Sequence, residues 1–153
     1  MHFFDEKTSE ILEKLTKDLD TKDSIRRFEE MEDTSVLTVQ NIGNIWIGED
    51  SCRLYNIAST VIENEKEIQY PELIVMRDEI GRWYPIKFGK NLSNTENVKS
   101  CVTENEDTGK ITGFITDVTL HSIFWCSIWL SLVAKEQKLF KGGEKAWEKR
   151  ISN

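Results

Sequence analysis

The sequence predicts an α+β domain with N-terminal helices, a central antiparallel or mixed sheet, and a long buried C-terminal helix. Three observations carry that expectation. Apolar residues recur at helical spacing before residue 32. From residue 35 onward the pattern changes to short strands punctuated by glycine and polar turns. The densest apolar run, residues 123–134, then stands as one block.

The first helix follows from Ile11, Leu12, Leu15 and Leu19, which share one helical face, with a polar start near Thr8 and Ser9. Lys14, Lys17 and Asp18 take the other face. Ile25, Phe28 and Met31 suggest a second, shorter helix capped by Asp23 or Ser24. The acidic residues 29–33 oppose the macrodipole at its end, so it stops early.

Residues 36–40 alternate as a strand, residues 41–44 read as a turn, and Ile45, Trp46 and Ile47 as a second strand. A turn is expected over residues 48–51, and residues 53–57 form a third strand or an irregular connection. Residues 58–67 fit either strand or helix. Residues 72–77 and 82–88 form the clearest hairpin, returned by Gly81. Pro71 marks a strand start and Pro85 an edge or bulge. Residues 90–97 are polar and read as a loop, and 98–104 can pair with 110–118. Thr116 or Asp117 would cap the last helix, which runs to about Leu139 and stops at Gly142 and Gly143. A short turn carrying Trp147 and Ile151 follows.

A chain of 153 residues accommodates one core, so residues 1–153 are expected to form a single domain. The apolar run at 123–134 is shorter than the roughly 20 residues a membrane span needs, and no apolar stretch follows a basic N-terminal head. A cytoplasmic protein is expected. Cys52, Cys101 and Cys126 are odd in number and widely spaced, which fits free thiols rather than a disulfide framework.

The net charge is −7, and residues 135–153 are the one basic stretch. That balance disfavours direct nucleic-acid binding and suits a basic protein partner, although acidity for solubility alone gives the same number.

The chemistry-bearing motifs are absent. No GxSxG, HExxH, phosphate loop or EF-hand loop occurs. His121 and Cys126 lie five apart, off the spacing that aligns two ligands on a helix, so no metal or cofactor is expected. Two carboxylate clusters stand out: Glu63, Glu65 and Glu67, and Glu104, Glu106 and Asp107. Each lies in a polar segment, which suits solvated surface or docking of a cationic partner better than acid–base catalysis. Trp46, Trp83, Tyr84, Trp125 and Trp129 fall at core spacing, though one or two can serve as exposed anchors.

The order of elements from 42 to 135 resembles the SUKH superfamily of bacterial toxin-immunity proteins. The resemblance rests on Ile45-Trp46-Ile47-Gly48, on the segment from Tyr70 to Val75, on the Asp78-to-Tyr84 return, and on a late apolar helix. That superfamily's Leu-Pro-x-x-Tyr opening is absent from the first forty residues. The resemblance implies a non-enzymatic inhibitor of a cognate toxin, often a nuclease, and transfers no catalytic residue. The competing readings are a small enzyme with a pocket built from Arg53, Tyr55, Arg82 and Tyr84, and an adaptor or structural module.

Overall fold

The computed structural model describes residues 2–28, 36–90, 99–137 and 139. The first helix, α1 (Glu6–Leu15), begins at Asp5, whose Oδ1 accepts the Thr8 N–H at 2.8 Å. The cap is therefore three residues earlier than Thr8, and Thr8 itself is buried. Ile11, Leu12 and Leu15 are fully buried, as their spacing predicts. The chain then turns beneath the sheet, where the Leu19 carbonyl accepts from Asn41 Nδ2 (2.9 Å) and the Tyr55 hydroxyl (3.3 Å).

The expected second helix is a strand. Ile25–Phe28 (β1) pairs antiparallel with Val36–Ile47 (β2), in the register Ile25↔Gln40 to Phe28↔Leu37. Four residues with i, i+3 apolar spacing hold a helix only weakly, and the open backbone edge of β2 supplies a full set of hydrogen bonds instead. Residues 41–44 are not a turn either. β2 continues through them with a bulge, since Asn41 faces Tyr55 while Gly43 faces Leu54. Gly43 holds φ +108°, a conformation side-chain-bearing residues rarely adopt.

Gly48 and Glu49 form a two-residue return into Asp50–Glu63 (β3), which pairs antiparallel with β2. The ambiguous segment 58–67 is extended. It completes β3, turns at Asn64 and Glu65 with φ of 51° and 64°, and starts Lys66–Arg77 (β4). Two successive positive φ values give the turn whose twist matches a β-ribbon. Pro71 does not start a strand. It lies inside β4, where Tyr70 and Pro71 together face Ser59 across a bulge. Trp83–Gly89 (β5) pairs with β4 as expected, and Gly81 in the return has φ +90°. Pro85 sits at the β5 bulge, where Ile86 is the extra residue.

The last strands close the sheet on itself. Lys99–Ser100 (β6) pairs with the free edge of β5, and Val102–Glu104 (β7) pairs with Ile111–Phe114 (β8). β8 in turn pairs parallel with β2 at Ile47↔Ile111, so the sheet is mixed. The strand order is β6-β5-β4-β3-β2-β8-β7, and only Cys101 separates the two outermost strands. Residues 99–104 thus bend from one edge to the other and complete a ring with β2, β3, β4, β5 and β8.

Two apolar clusters follow from that curl. Cys52, Met76, Tyr84, Ile86, Cys101, Val102 and Ile111 pack on the enclosed face. Leu37, Val39, Tyr55, Ile57, Leu73, Val75 and Trp83 pack on the other face against α1 and the final helix, α2 (Thr116–Glu136). α2 starts at Ile115, and neither Thr116 nor Asp117 caps it. It is tied to the ring closure instead. The Cys101 carbonyl accepts from the Ile115 N–H (2.8 Å) and the Thr119 hydroxyl (3.3 Å), and Cys101 Sγ lies 3.3 Å from Ser122 Oγ. Met31, the acidic residues 29–33, the loop 91–97, Gly142, Gly143, Trp147 and Ile151 lie outside the described residues.

Candidate partner-binding surfaces

The structure separates the two carboxylate clusters. Glu63 ends β3, Glu65 is in the β3–β4 return, and Glu67 faces Ile62 near the start of β4. Glu104 ends β7, and Glu106 and Asp107 lie in the turn before β8. β3 spans the difference. Its last residue adjoins the first cluster, and its first residue, Asp50, is in the same cross-strand row as Glu104. At about 3.3 Å per residue the clusters lie roughly 40 Å apart along the strand, too far for one contact patch.

That row brings other carboxylates to the Glu104 cluster. It runs Asp50, Ile47, Ile111, Glu104 across four adjacent strands. Glu49 is in the return beside Asp50, and the β4–β5 return places Asp78 and Glu79 at the same end. Glu49, Asp50, Glu79, Glu104, Glu106 and Asp107 are all exposed. The buried Cys52 thiol lies near the carboxylates of the β2–β3 and β4–β5 returns. Burial raises its pKa to about 11, with Asp78, Asp50 and Glu79 adding to the rise. The neighbouring cations are largely engaged. Arg53 pairs with Asp20 (3.1 Å), Arg77 with Glu13 (2.7 Å) and Arg82 with Asp78 (2.8 Å). Lys110 is a cation close in sequence to the Glu104 cluster and outside those pairs. Half of this rim, Glu104, Glu106 and Asp107, lies in one short run of the sequence. The other half comes from returns distant in the chain, which only strand register aligns.

Asp78 organises the β4–β5 return rather than offering a docking charge. Its Oδ1 accepts from the Ile80 and Arg82 N–H groups (3.1 and 2.8 Å), and its Oδ2 from Arg82 Nε and the Tyr84 hydroxyl (2.8 and 2.9 Å). Burial opposes ionisation, but the Arg82 and Tyr84 hydrogen bonds outweigh it and hold the carboxyl below its ordinary range. Tyr84 is pushed to about 12, by burial first and then by its bond to Asp78.

The four residues of the enzyme reading do not converge. Arg82 and Tyr84 meet on Asp78, whereas Arg53 lies beside the Tyr55 hydroxyl and pairs with Asp20, and Tyr55 donates to the Leu19 carbonyl. A cleft of about 260 Å³ is lined by His2, Phe114, Thr116 and Thr119, and Phe114 also packs on the Tyr84 ring. Among the described residues it brings one imidazole and two hydroxyls together without a carboxylate. Among the described residues no three His, Cys, Asp or Glu side chains group as metal ligands. The three cysteines are free and buried.

α2 corrects the expectation of a buried helix. Its inner face carries Thr119, Ser122, Cys126, Leu130, Val133 and Ala134. Its outer face exposes Leu120 (46%), Phe124 (60%), Trp125 (48%), Ile128 (43%) and Leu132 (54%). By length and composition α2 could cross a membrane, which the shorter run 123–134 did not suggest. No protein-family model, curated protein or solved structure matches the chain.

Proposed function

We propose that this protein is a non-enzymatic, immunity-type inhibitor that binds and neutralises a cognate basic protein toxin, such as a nuclease, in the cytoplasm. The observation that carries the reading is the acidic rim formed by Glu49, Asp50, Glu79, Glu104, Glu106 and Asp107. Nucleases that grip phosphate backbones present basic clefts. A rim of fixed carboxylates competes for such a cleft and speeds encounter by electrostatic steering. The rim follows one end of the curled sheet, from the β4–β5 return past the β2–β3 return to the turn between β7 and β8. No cofactor or metal is required for this role.

The test begins with capture of the partner from the native cell and a toxicity-rescue assay. Charge reversal at Glu104, Glu106 and Asp107 should slow association with the captured partner and flatten its salt dependence. The same reversal at Glu63, Glu65 and Glu67, at the far end of the sheet, should leave association nearly unchanged. If the far cluster alone governed the rate, the rim would be the wrong surface. If the purified chain turned over a small-molecule substrate, the inhibitor reading would fall.

A further inference from the structure

We propose that a second copy of this chain covers the outer face of α2, the two helices packing antiparallel about a two-fold axis opposite Cys126. The inference is independent of the acidic rim. Exposed residues 117, 121, 124, 128, 131 and 135 recur at alternating spacings of four and three, the seam of a two-stranded helical pair. At about 100° per residue this seam lies directly opposite the buried Cys126. Leu120 flanks it on one side, and Trp125 and Leu132 on the other.

The charge and size pattern selects the antiparallel arrangement. No charged residue occurs from Val118 to Ala134. Asp117 and Lys135, both exposed, close the seam at its two ends. A two-fold at the level of residue 126 sets Asp117 of one chain against Lys135 of its mate, Phe124 against Ile128, and His121 against Ser131. A parallel pair would instead stack Asp117 on Asp117 and Lys135 on Lys135, which costs energy at both ends. Such an isologous contact closes at two copies and leaves no edge for further growth.

The area suffices for a small specific interface. Taking ~200 Å² for each fully exposed large side chain, the five exposed residues present roughly 500 Å² of apolar surface per chain. That is the upper part of the range monomers show, and two such faces bury about 1,000 Å², near the lower bound for specific association. A lipid surface suits the helix less well. The chain as a whole carries a net charge of −7, which anionic headgroups repel, and its basic residues 135–153 follow the helix in sequence rather than lining its apolar face.

Sedimentation equilibrium of the full chain, up to about 0.5 mM, tests the proposal. The expected result is a monomer–dimer equilibrium. Ile128→Glu, on an exposed position, should abolish it while leaving the circular dichroism spectrum intact. Asp117→Lys and Lys135→Asp should each weaken dimerisation about tenfold, and the double variant should restore it, because the swapped charges again face opposites. A monomer at every concentration would overturn the proposal. So would a dimer indifferent to Ile128→Glu, or one that the double charge swap does not rescue. A monomer that binds neutral phosphatidylcholine vesicles through the same residues would assign the face to lipid instead.

Discussion

Trp83→Ala should be among the most damaging single changes in this chain. The Trp83 ring has no exposed surface. It packs 5.5 Å, centroid to centroid, from Tyr55, and the Arg77 guanidinium sits 6.0 Å above it. Its Nε1 donates to Glu13 Oε1 at 3.0 Å, and its carbonyl accepts the Phe4 N–H at 2.9 Å. One residue thus joins β5 to α1 and to the N-terminal segment. Truncating a buried Trp costs about 3–5 kcal/mol through lost burial and the cavity left behind. The lost indole hydrogen bond adds little, because the Glu13 side chain is 47% exposed and rehydrates. Equilibrium urea unfolding followed by far-UV circular dichroism measures the cost without depending on the indole signal. Trp83→Phe keeps most of the ring and should lose about 1–2 kcal/mol. Trp129 is the comparison. It is only partly buried against the same core, so Trp129→Ala should cost clearly less than Trp83→Ala. A loss under about 1 kcal/mol for Trp83→Ala would refute the reasoning.

The Asp78 return should show a pH signature. Its carboxyl is held below the reference value of 3.8, so the stabilisation is complete above that value and disappears as pH falls through the lower folded-state value. Asp78→Ala should therefore be destabilising near pH 6, by about 2–3 kcal/mol for the hydrogen bonds lost, with a much smaller difference from wild type in strong acid. A difference constant across that range would contradict the assignment. For the thiols, burial raises all three, Cys52 to about 11 with a further contribution from nearby carboxylates. A disulfide-exchange reagent should react slowly with native protein at neutral pH and count three thiols after denaturation without reductant. Glu65 carries φ +64° in the β3–β4 return, where a side chain is strained. Glu65→Gly should raise stability by about 1 kcal/mol, read as an increased urea midpoint.

Local patterns in this sequence carried the elements whose stability is local. The α1 face is visible in Ile11, Leu12 and Leu15 because one side of the helix meets one core. The β4–β5 hairpin is visible because Gly81 returns the chain between two apolar runs. The misreadings are long-range. Ile25 and Phe28 fit a helix on spacing, and only the vacant edge of β2 makes them a strand. The turn signals at Asn41 and Gly43 are genuine, but the opposite strand absorbs them as a bulge. Ring closure at Cys101 has no signature at all. A single residue between two short strands pairs with both edges of the sheet only after the sheet has curled. The acidic rim was half legible for the same reason. Contiguous runs such as Glu104 to Asp107 are visible in the chain, whereas the alignment of Asp50 with Glu104 depends on register across β2 and β8.

α2 shows why apolar content and burial are separate properties. A helix apolar on every side is read as a core helix, because periodicity cannot distinguish inside from outside when both are hydrophobic. Here two polar residues of the helix face inward. Thr119 and Ser122 meet Cys101, where the ring closure concentrates hydrogen-bonding groups that need partners in a buried place. Cys126 and Ala134 are small enough to bring the helix backbone close to the sheet. Once those positions are taken by hydrogen bonding and close approach, the larger side chains at 120, 124, 125, 128 and 132 are left on the far side. Optimising a monomer would place polar residues there, as on the outer face of α1, where Glu6, Lys7, Glu13 and Lys14 stand exposed. The contrast between the two helices locates the feature that monomer folding does not explain. Five large apolar side chains left about half exposed in one stripe form the kind of patch that marks an interaction surface.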